Sequence, residues 1–200
     1  MVRTIAKDHE EKRVAILKTA AKFFAKNGFD RSSMSQLALE CGVSKALIYH
    51  YYQSKEVLLY DIIYTHLQDL VDAVEAVTPS DDPEQHLRKL VHAILDQYRD
   101  ADAEHKLQLE ATTSLPKANQ KTLADMQRRL VVTLSNAINA ISPMCFEKHK
   151  ETLRPVTMSL FGMLNWFYLW YRRGKGMTRS DYADLATDLL LGGIKGLEKQ

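Results

Sequence analysis

The chain has 200 residues and a formal net charge of +2, with 46% hydrophobic and 26% charged residues. This composition excludes a disordered chain and suits either one sizeable core or a small module joined to a larger one. The two cysteines, Cys41 and Cys145, form no CxxC pair and give no disulfide or zinc framework. Only eight glycines and five prolines interrupt a sequence rich in helix formers, so we predict an all-α fold.

Neither a secretion signal nor a membrane span is expected from the sequence. Residues 1–18 are charged throughout and lack the apolar segment of a signal peptide. The most apolar stretch, residues 160–171, would reach only about 18 Å as a helix, against roughly 30 Å for a hydrocarbon core. We therefore expect a cytoplasmic protein without membrane contact.

Three short helices are predicted at the start of the chain. The first covers residues 9–27 and ends at Gly28, a residue suited to a left-handed helix end. Ser33 and Ser44 are then the N-caps of two short helices on either side of a turn at Gly42. Such a helix pair is typical of a helix-turn-helix, whose second helix enters the DNA major groove.

Six longer helices are predicted after this motif. Ser54 caps the first of them, to about residue 77, and a capping box of Asp82, Pro83 and Gln85 starts the second, to about residue 98. The others are predicted at about residues 102–113, 117–140, 148–172 and 179–197, the last capped by Thr178. The sequence thus divides into a three-helix domain over residues 1–54 and a six-helix domain over residues 55–200.

The second helix of the predicted motif carries four consecutive rings, from Tyr49 to Tyr52. Because only side chains at i, i+3 and i+4 share a helix face, four consecutive rings cannot all point into one core. The face towards the first two helices holds Leu47, Ile48 and Tyr52, and the face towards the groove holds Lys45, Ala46, Tyr49 and His50. The hydroxyls of Tyr49 and Tyr51 suit contacts to phosphate. The ten Lys/Arg and six Asp/Glu of residues 1–56 agree with a DNA-binding role.

The stretch AAKFFAKNGFDRSSMSQLALECGVSKALIYHYYQSKEVLL resembles the DNA-binding region of the TetR/AcrR family of bacterial transcriptional regulators. The resemblance covers about residues 10–60. The residues that carry it are Ala20, Phe24, Gly28, Phe29, Leu37, Ala38, Gly42, Val43, Ser44, Ile48, Tyr49, Tyr52, Lys55 and Leu58.

The family resemblance implies a homodimeric repressor that binds a palindromic operator in double-stranded DNA and is released by a small-molecule effector. It implies base contacts from Lys45, Ala46, Leu47, Tyr49 and His50. It implies phosphate contacts from Ser33, Ser44, Tyr49, Tyr51 and Lys55. Many members have a long residue such as arginine early in the second helix. This chain has Ser35 there, which we include among the DNA-binding residues.

In the family the remaining helices form a ligand pocket and a dimer interface, which implies the same for residues 55–200. The segment MSLFGMLNWFYLWYRRGKG is apolar nearly all round, as expected of a helix buried on every side. With the last predicted helix it resembles the pair that packs against its copy in a four-helix bundle. The expected interface residues are Phe167, Trp170, Leu189 and Leu190.

The run from Asn165 to Ile194 is similar to the branch of the family that senses acyl-CoA thioesters. An arginine pair beside an aromatic helix suits an effector that is partly apolar and carries phosphate, so an acyl-CoA is one implied effector. No other cofactor is expected. The expected ligand-binding residues are Leu107, Met126, Leu130, Met163, Asn165, Trp166, Arg172 and Arg173.

Metal and enzyme functions have little support in the sequence. His66-x-x-Asp69 and Asp102-x-x-His105 each place a carboxylate and an imidazole on one helix face, but no further ligands accompany them, so no metal site is predicted. HExxH, GxSxG, a P-loop and a Gly-rich dinucleotide turn are all missing, so we expect no catalytic activity. Two alternatives stay open: a constitutive DNA-binding protein without effector, and a helical enzyme or carrier with an incidental helix-turn-helix pattern.

Overall fold

The computed structural model describes the backbone of residues 2–172 and 174–199, and the side chains from residue 9 onward. Within these ranges every regular element is a helix, which confirms the all-α prediction. The helices are α1 (Val2–Asn27), α2 (Met34–Glu40), α3 (Lys45–Tyr51), α4 (Lys55–Glu75), α5 (Pro83–Gln97), α6 (Asp102–Glu110), α7 (Lys117–Ile141), α8 (Pro143–Lys148), α9 (Leu153–Asn165), α10 (Phe167–Trp170) and α11 (Arg179–Leu197). A one-turn 3-10 helix, Thr112–Ser114, lies between α6 and α7.

Most predicted helix bounds agree with the structure, and the main difference lies at residues 148–172. This predicted helix is divided into α9 and α10, and the short α8 precedes them. Proline lacks an N–H and is tolerated in the first turn of a helix, where the N–H has no intrahelical partner. Because α9 begins at Leu153, Pro155 falls in that first turn. The other difference is that α1 begins at Val2 and not at residue 9.

The predicted N-caps position the short helices. The Ser33 hydroxyl accepts a hydrogen bond from the Gln36 amide at 3.2 Å, and the Gln36 side chain accepts one from the Ser33 amide at 3.0 Å. The Ser44 hydroxyl accepts from the Leu47 amide at 3.1 Å. These bonds satisfy amides that have no partner within the helix.

The capping box predicted at the start of α5 is only half formed. Asp82 accepts hydrogen bonds from the Glu84 and Gln85 amides. The reciprocal contact is replaced, because the Gln85 side chain accepts from the Ser80 hydroxyl at 2.9 Å. Asp82 therefore caps the helix with its carboxylate alone.

The chain forms two compact units. The first comprises residues up to Leu67 together with Ala101–Ala124, and the second comprises Gln68–Asp100 together with the residues from Asp125 onward. In the first unit α6 packs on α1, where the Lys106 ammonium donates to the Ala25 carbonyl at 3.0 Å. The predicted functional domains, residues 1–54 and 55–200, divide the chain at a different place and remain a prediction.

The second unit is organised around the packing of α5 on α11. Their facing sides are apolar and buried, and α5 contributes Leu87, Leu90, Val91 and Ile94. At the edge of this contact Arg88 bonds Asp184 at 3.0 Å and Asp188 at 2.6 Å, and His92 bonds Asp184 at 2.9 Å. In the part of the chain that is described, no helix is both long and apolar enough to cross a membrane.

Candidate nucleic-acid interface and effector site

The turn between α2 and α3 depends on Gly42. Its φ of +64° lies in the left-handed region, which L side chains rarely adopt, and a Cβ added there would meet nothing within 4 Å. The Val43 amide donates to the Ala38 carbonyl at 3.0 Å and closes the turn. Ile48 and Leu37 are fully buried, so α3 is packed on α2 through its inner face.

The outer face of α3 is exposed, as the helical phase predicted. Lys45, Ala46, Tyr49 and His50 are all exposed, and Ser35 is exposed on the neighbouring α2. The Lys45 ammonium lies 5.7 Å from the centroid of the Tyr49 ring. The face thus combines a cation, a phenol and an imidazole, which can bond phosphates and base edges.

The other predicted DNA contacts differ in how accessible they are. Leu47 is half-buried and lines a cleft of about 130 Å³ with Ala15, Ile16 and Cys41, so part of its side chain faces α1. The hydroxyls of Ser33 and Ser44 serve as helix caps, although both residues are exposed.

Lys55 has hydrogen-bond partners within the protein, and its predicted phosphate contact stays a prediction. Its ammonium donates to three carbonyls of the loop after α1, those of Phe29 at 3.1 Å, Asp30 at 3.2 Å and Ser32 at 3.4 Å. It also lies 4.5 Å from the centroid of the Phe29 ring. An ammonium has three donors, so these three carbonyls can engage all of them, and Lys55 holds the loop after α1 in place.

His9 lies beside the predicted DNA-contact residues of α3, and no sequence pattern indicated this contact. Its ring centroid lies 4.5 Å from that of Tyr51 and 6.1 Å from that of His50. Residue 9 was predicted as the first residue of α1, but α1 extends seven residues further towards the N-terminus. The longer helix places His9 inside a turn of α1, beside α3.

The structure contradicts two of the four predicted dimer contacts. Phe167 is 1% exposed and Leu190 is 7% exposed, so both lie in the core of the second unit and cannot reach a partner. Phe167 stacks on Tyr171 and Tyr182, with centroids 4.4 and 4.7 Å away. Trp170 and Leu189 are 52% and 58% exposed, which leaves them available.

The residues predicted to bind an effector are distributed over both units, and their role stays a prediction. Leu107, in the first unit, lines a cleft of about 230 Å³. In the second unit Met126 and Leu130 are buried, and Met163 is half-buried.

Three predicted effector contacts lie beside the junction of α9 and α10. Asn165 accepts a hydrogen bond from the Tyr98 hydroxyl at 2.8 Å, while Trp166 is exposed. Arg172 is also exposed, and its guanidinium donates to the carbonyls of Leu169 and Tyr171. The predicted effector contacts of Trp166 and Arg172 stay a prediction. Arg173 lies outside the described residues.

The first unit contains a buried polar cluster. It consists of His66 on α4 and His105 and Gln108 on α6, which are between 1% and 9% exposed. The two imidazole centroids are 5.7 Å apart. Burial, together with His105, lowers the pKa of His66 to about 3, so its ring is neutral at ordinary pH. Within the described structure the Gln108 side-chain oxygen has no hydrogen-bond partner.

The cluster includes His66 and His105, the two histidines of the carboxylate–imidazole pairs noted in the sequence. Among the described residues no group of three or more potential metal ligands occurs. An amide oxygen accepts hydrogen bonds, so Gln108 can bond a group that carries an N–H or O–H donor. The contact between α4 and α6 brings His66 close to His105. This contact joins residues far apart in the sequence, so helical spacing did not predict it.

The capped helix pair, its glycine turn and its exposed polar face define a helix-turn-helix protein. A family model described as "Bacterial regulatory proteins, tetR family" matches residues 16–62. A second, described as "Tetracyclin repressor-like, C-terminal domain", matches residues 80–194, more than half of the chain. The chain belongs to the tetR family of bacterial regulatory proteins, which act as DNA-binding transcriptional regulators.

Related proteins support this assignment. The HTH-type transcriptional regulator BetI of Agrobacterium fabrum is 30% identical over 135 residues, 66% of this chain and 66% of BetI. A TetR-family transcriptional regulator of Bordetella parapertussis superimposes with a TM-score of 0.84 at 29% identity, over 90% of this chain and 93% of that one. The matched parts span between 28% and 66% of the first curated relatives. Membership of a family of transcriptional regulators argues against the alternative of a helical enzyme or carrier with an incidental helix-turn-helix pattern.

AibR, solved in complex with isovaleryl coenzyme A and operator DNA, has the same fold. Its TM-score is 0.72 at 22% identity, over 89% of this chain and 97% of AibR.

Proposed function

We propose that the protein is a ligand-responsive repressor that binds a palindromic operator as a homodimer and leaves it when a small molecule binds. The observation that carries the DNA-binding part is the exposed outer face of α3, with Lys45, Tyr49 and His50 on a capped helix after the Gly42 turn. A helix held in this way presents its N-terminal residues to base edges. Such a regulator acts in the bacterial cytoplasm, where the DNA is.

The exposed apolar side chains of α10 and α11 support a homodimer. Leu169, Trp170, Leu185 and Leu189 are exposed in the second unit, and such groups mark interaction surfaces when they lie together. Gly192, Gly193 and Gly196 follow on α11 with open space around them, which would let another helix approach closely. A twofold dimer uses the same surface on both subunits and matches a palindrome.

We place the polar end of the effector at His66, His105 and Gln108. Within the described structure the Gln108 oxygen is a buried acceptor without a hydrogen-bond partner, and such an acceptor costs free energy unless a bound donor satisfies it. An acyl-CoA is the first effector class to test. Its pantetheine amides can donate to Gln108, and AibR provides a solved example of the fold with isovaleryl coenzyme A.

The proposal is tested on DNA that the protein itself selects from a random-sequence pool, called here the selected operator. The protein–operator complex is titrated with a medium-chain acyl-CoA, free CoA and the free acid. Release by the acyl-CoA alone supports the acyl-CoA class. Release by the free acid at equal concentration contradicts that class but keeps a ligand-responsive repressor. A complex that resists all three, and also resists whatever co-purifies with the native protein, favours the constitutive DNA-binding alternative.

A further inference from the structure

Three helices of the first unit meet at the carboxylate of Asp61 on α4. The Tyr52 hydroxyl donates to its Oδ2 atom at 2.6 Å. The Arg13 guanidinium of α1 donates to the same oxygen, also at 2.6 Å. Hydrogen bonds to a charged acceptor are stronger than neutral ones, and here Tyr52 is buried while the two charged groups are half-buried.

Tyr52 is the residue at which the recognition helix ends. It is the C-cap of α3, with an extended backbone, and its amide donates to the Ile48 carbonyl at 2.9 Å. Within α3 itself, Ile48 is the buried residue. A single buried side chain does little to prevent a seven-residue helix from rotating about its own axis. The buried Tyr52 ring and its hydroxyl therefore supply a second anchor.

The Tyr52 phenol stays protonated at ordinary pH and can therefore donate its hydrogen bond. Burial raises the pKa of the Tyr52 phenol, and its hydrogen bond to Asp61 raises it further, so the phenol keeps its proton. Arg13 is held in place on its own helix by Glu10, whose carboxylate oxygens lie 3.2 Å from its Nε atom. Asp61 therefore receives two donors from separate helices.

We propose that Asp61 is a positioning residue for operator recognition, which fixes the orientation of α3 on α4 through Tyr52 and on α1 through Arg13. The inference rests on the proposed function, because it takes α3 to be the helix that reads the operator. It assigns to Asp61 and Tyr52 a part in specificity although neither touches DNA.

A positioning role of Asp61 and a purely structural role have different effects on specific and non-specific DNA binding. Non-specific binding depends on the charges that meet phosphates, while specific binding also needs base contacts in register. Loss of orientation should therefore weaken binding to the selected operator and leave binding to unrelated DNA almost unchanged. A purely structural defect would lower both affinities together, in proportion to the folded fraction.

The experiment compares Tyr52→Phe, Asp61→Asn and the double variant with the parent protein, and Tyr64→Phe is the matched control. Affinity is measured for the selected operator and for unrelated DNA of equal length, and thermal unfolding is recorded for each variant. We expect each single variant to lose about ten-fold in operator affinity, the effect of one charge-assisted hydrogen bond. Affinity for unrelated DNA should stay within about two-fold. The double variant should lose no more than Asp61→Asn, because both changes remove the same bond.

Asp61→Asn also supplies an electrostatic check. Removing a negative charge near DNA would by itself raise affinity for every sequence. If affinity for the operator falls while affinity for unrelated DNA is unchanged or raised, the result supports a positioning role for Asp61. The inference is overturned if both variants keep the parent's ratio of operator to non-specific affinity, or if both affinities fall alike. If the parent shows no such preference, the proposed function fails and the inference with it.

Discussion

The Lys45 ammonium lies 5.7 Å from the centroid of the Tyr49 ring, one turn further along the exposed face of α3. The two side chains share a position towards the groove but differ in chemistry. A lysine can donate to base edges such as the N7 and O6 atoms of guanine, whereas a phenol hydroxyl suits a phosphate oxygen. They should therefore have separable effects on DNA binding.

Replacing each residue tests this division. Lys45→Ala should weaken operator binding by about 1–3 kcal/mol and relax the preference at one base pair, because a base contact is lost. Tyr49→Phe removes only a hydroxyl and should cost about 1 kcal/mol on all sequences alike. Affinities for the operator and for its single-base variants measure both effects. Equal affinity of both variants and the parent would discard the assignment.

The turn at Gly42 should be sensitive to substitution for a backbone reason alone. An added Cβ meets nothing within 4 Å, but φ is +64°, so Gly42→Ala should cost about 1–2 kcal/mol of folding stability. Gly162→Ala is the matched control. It also meets nothing within 4 Å but lies in α9, where alanine should stabilise by about 0.5–1 kcal/mol. Denaturant unfolding measures both, and a neutral Gly42→Ala would contradict the account.

The helix-turn-helix could be predicted in detail because its signals are local. Ser33 and Ser44 cap helices by bonding amides three residues away, and Gly42 is needed for a backbone angle at its own position. Such features depend little on the rest of the chain.

The side-chain environments that the sequence did not predict are set by more distant parts of the chain. Phe167 and Trp170 are both aromatic and lie one turn apart, yet Phe167 is 1% exposed and Trp170 is 52% exposed. Phe167 stacks on Tyr182 of α11, with centroids 4.7 Å apart. The three carbonyls bound by Lys55 come from residues 23–26 positions earlier. Neither arrangement follows from helical spacing.

The exposed apolar residues of the last helices should hold the dimer together. Trp170→Asp or Leu189→Asp would place an unpaired charge in that surface and should dissociate it. The control is Val132→Asp, an exposed apolar residue on α7. Sedimentation should give twice 22.9 kDa for the parent and the control, and a lower mass for the other two. A parent that is monomeric at micromolar concentration and still binds a palindrome tightly would contradict this.

Burial of His66 predicts a particular pH dependence of stability. Its pKa is about 3 in the folded protein, below the value of about 6.5 for an exposed histidine, so the unfolded chain binds the proton more readily. Its contribution is complete above about pH 6.5 and is lost as the pH falls towards 3, at up to about 1.4 kcal/mol per pH unit. His66→Gln should flatten this slope in unfolding measured between pH 4 and 7. The exposed control, His9→Gln, should keep it, and an unchanged slope in His66→Gln would refute the assignment.

Gln108 should lower the folding stability of the ligand-free protein and contribute to effector binding. Gln108→Leu removes a buried acceptor without a partner and should stabilise the ligand-free protein by about 1–2 kcal/mol. It should also weaken release of the operator by the effector, because the bonding group is gone. The control is Gln97→Leu, at an exposed position of α5. A variant that responds to the effector like the parent would remove Gln108 from the site.

The most direct test of the account is a footprint of the parent protein on the selected operator. Two α3 helices related by a twofold axis should protect two inverted half-sites whose centres are about one helical turn, roughly 34 Å, apart. Lys45→Ala should reduce protection in both half-sites equally. We expect such a palindrome with symmetric protection. A random pool that yields no enriched sequence, or a single half-site without an inverted copy, would contradict it.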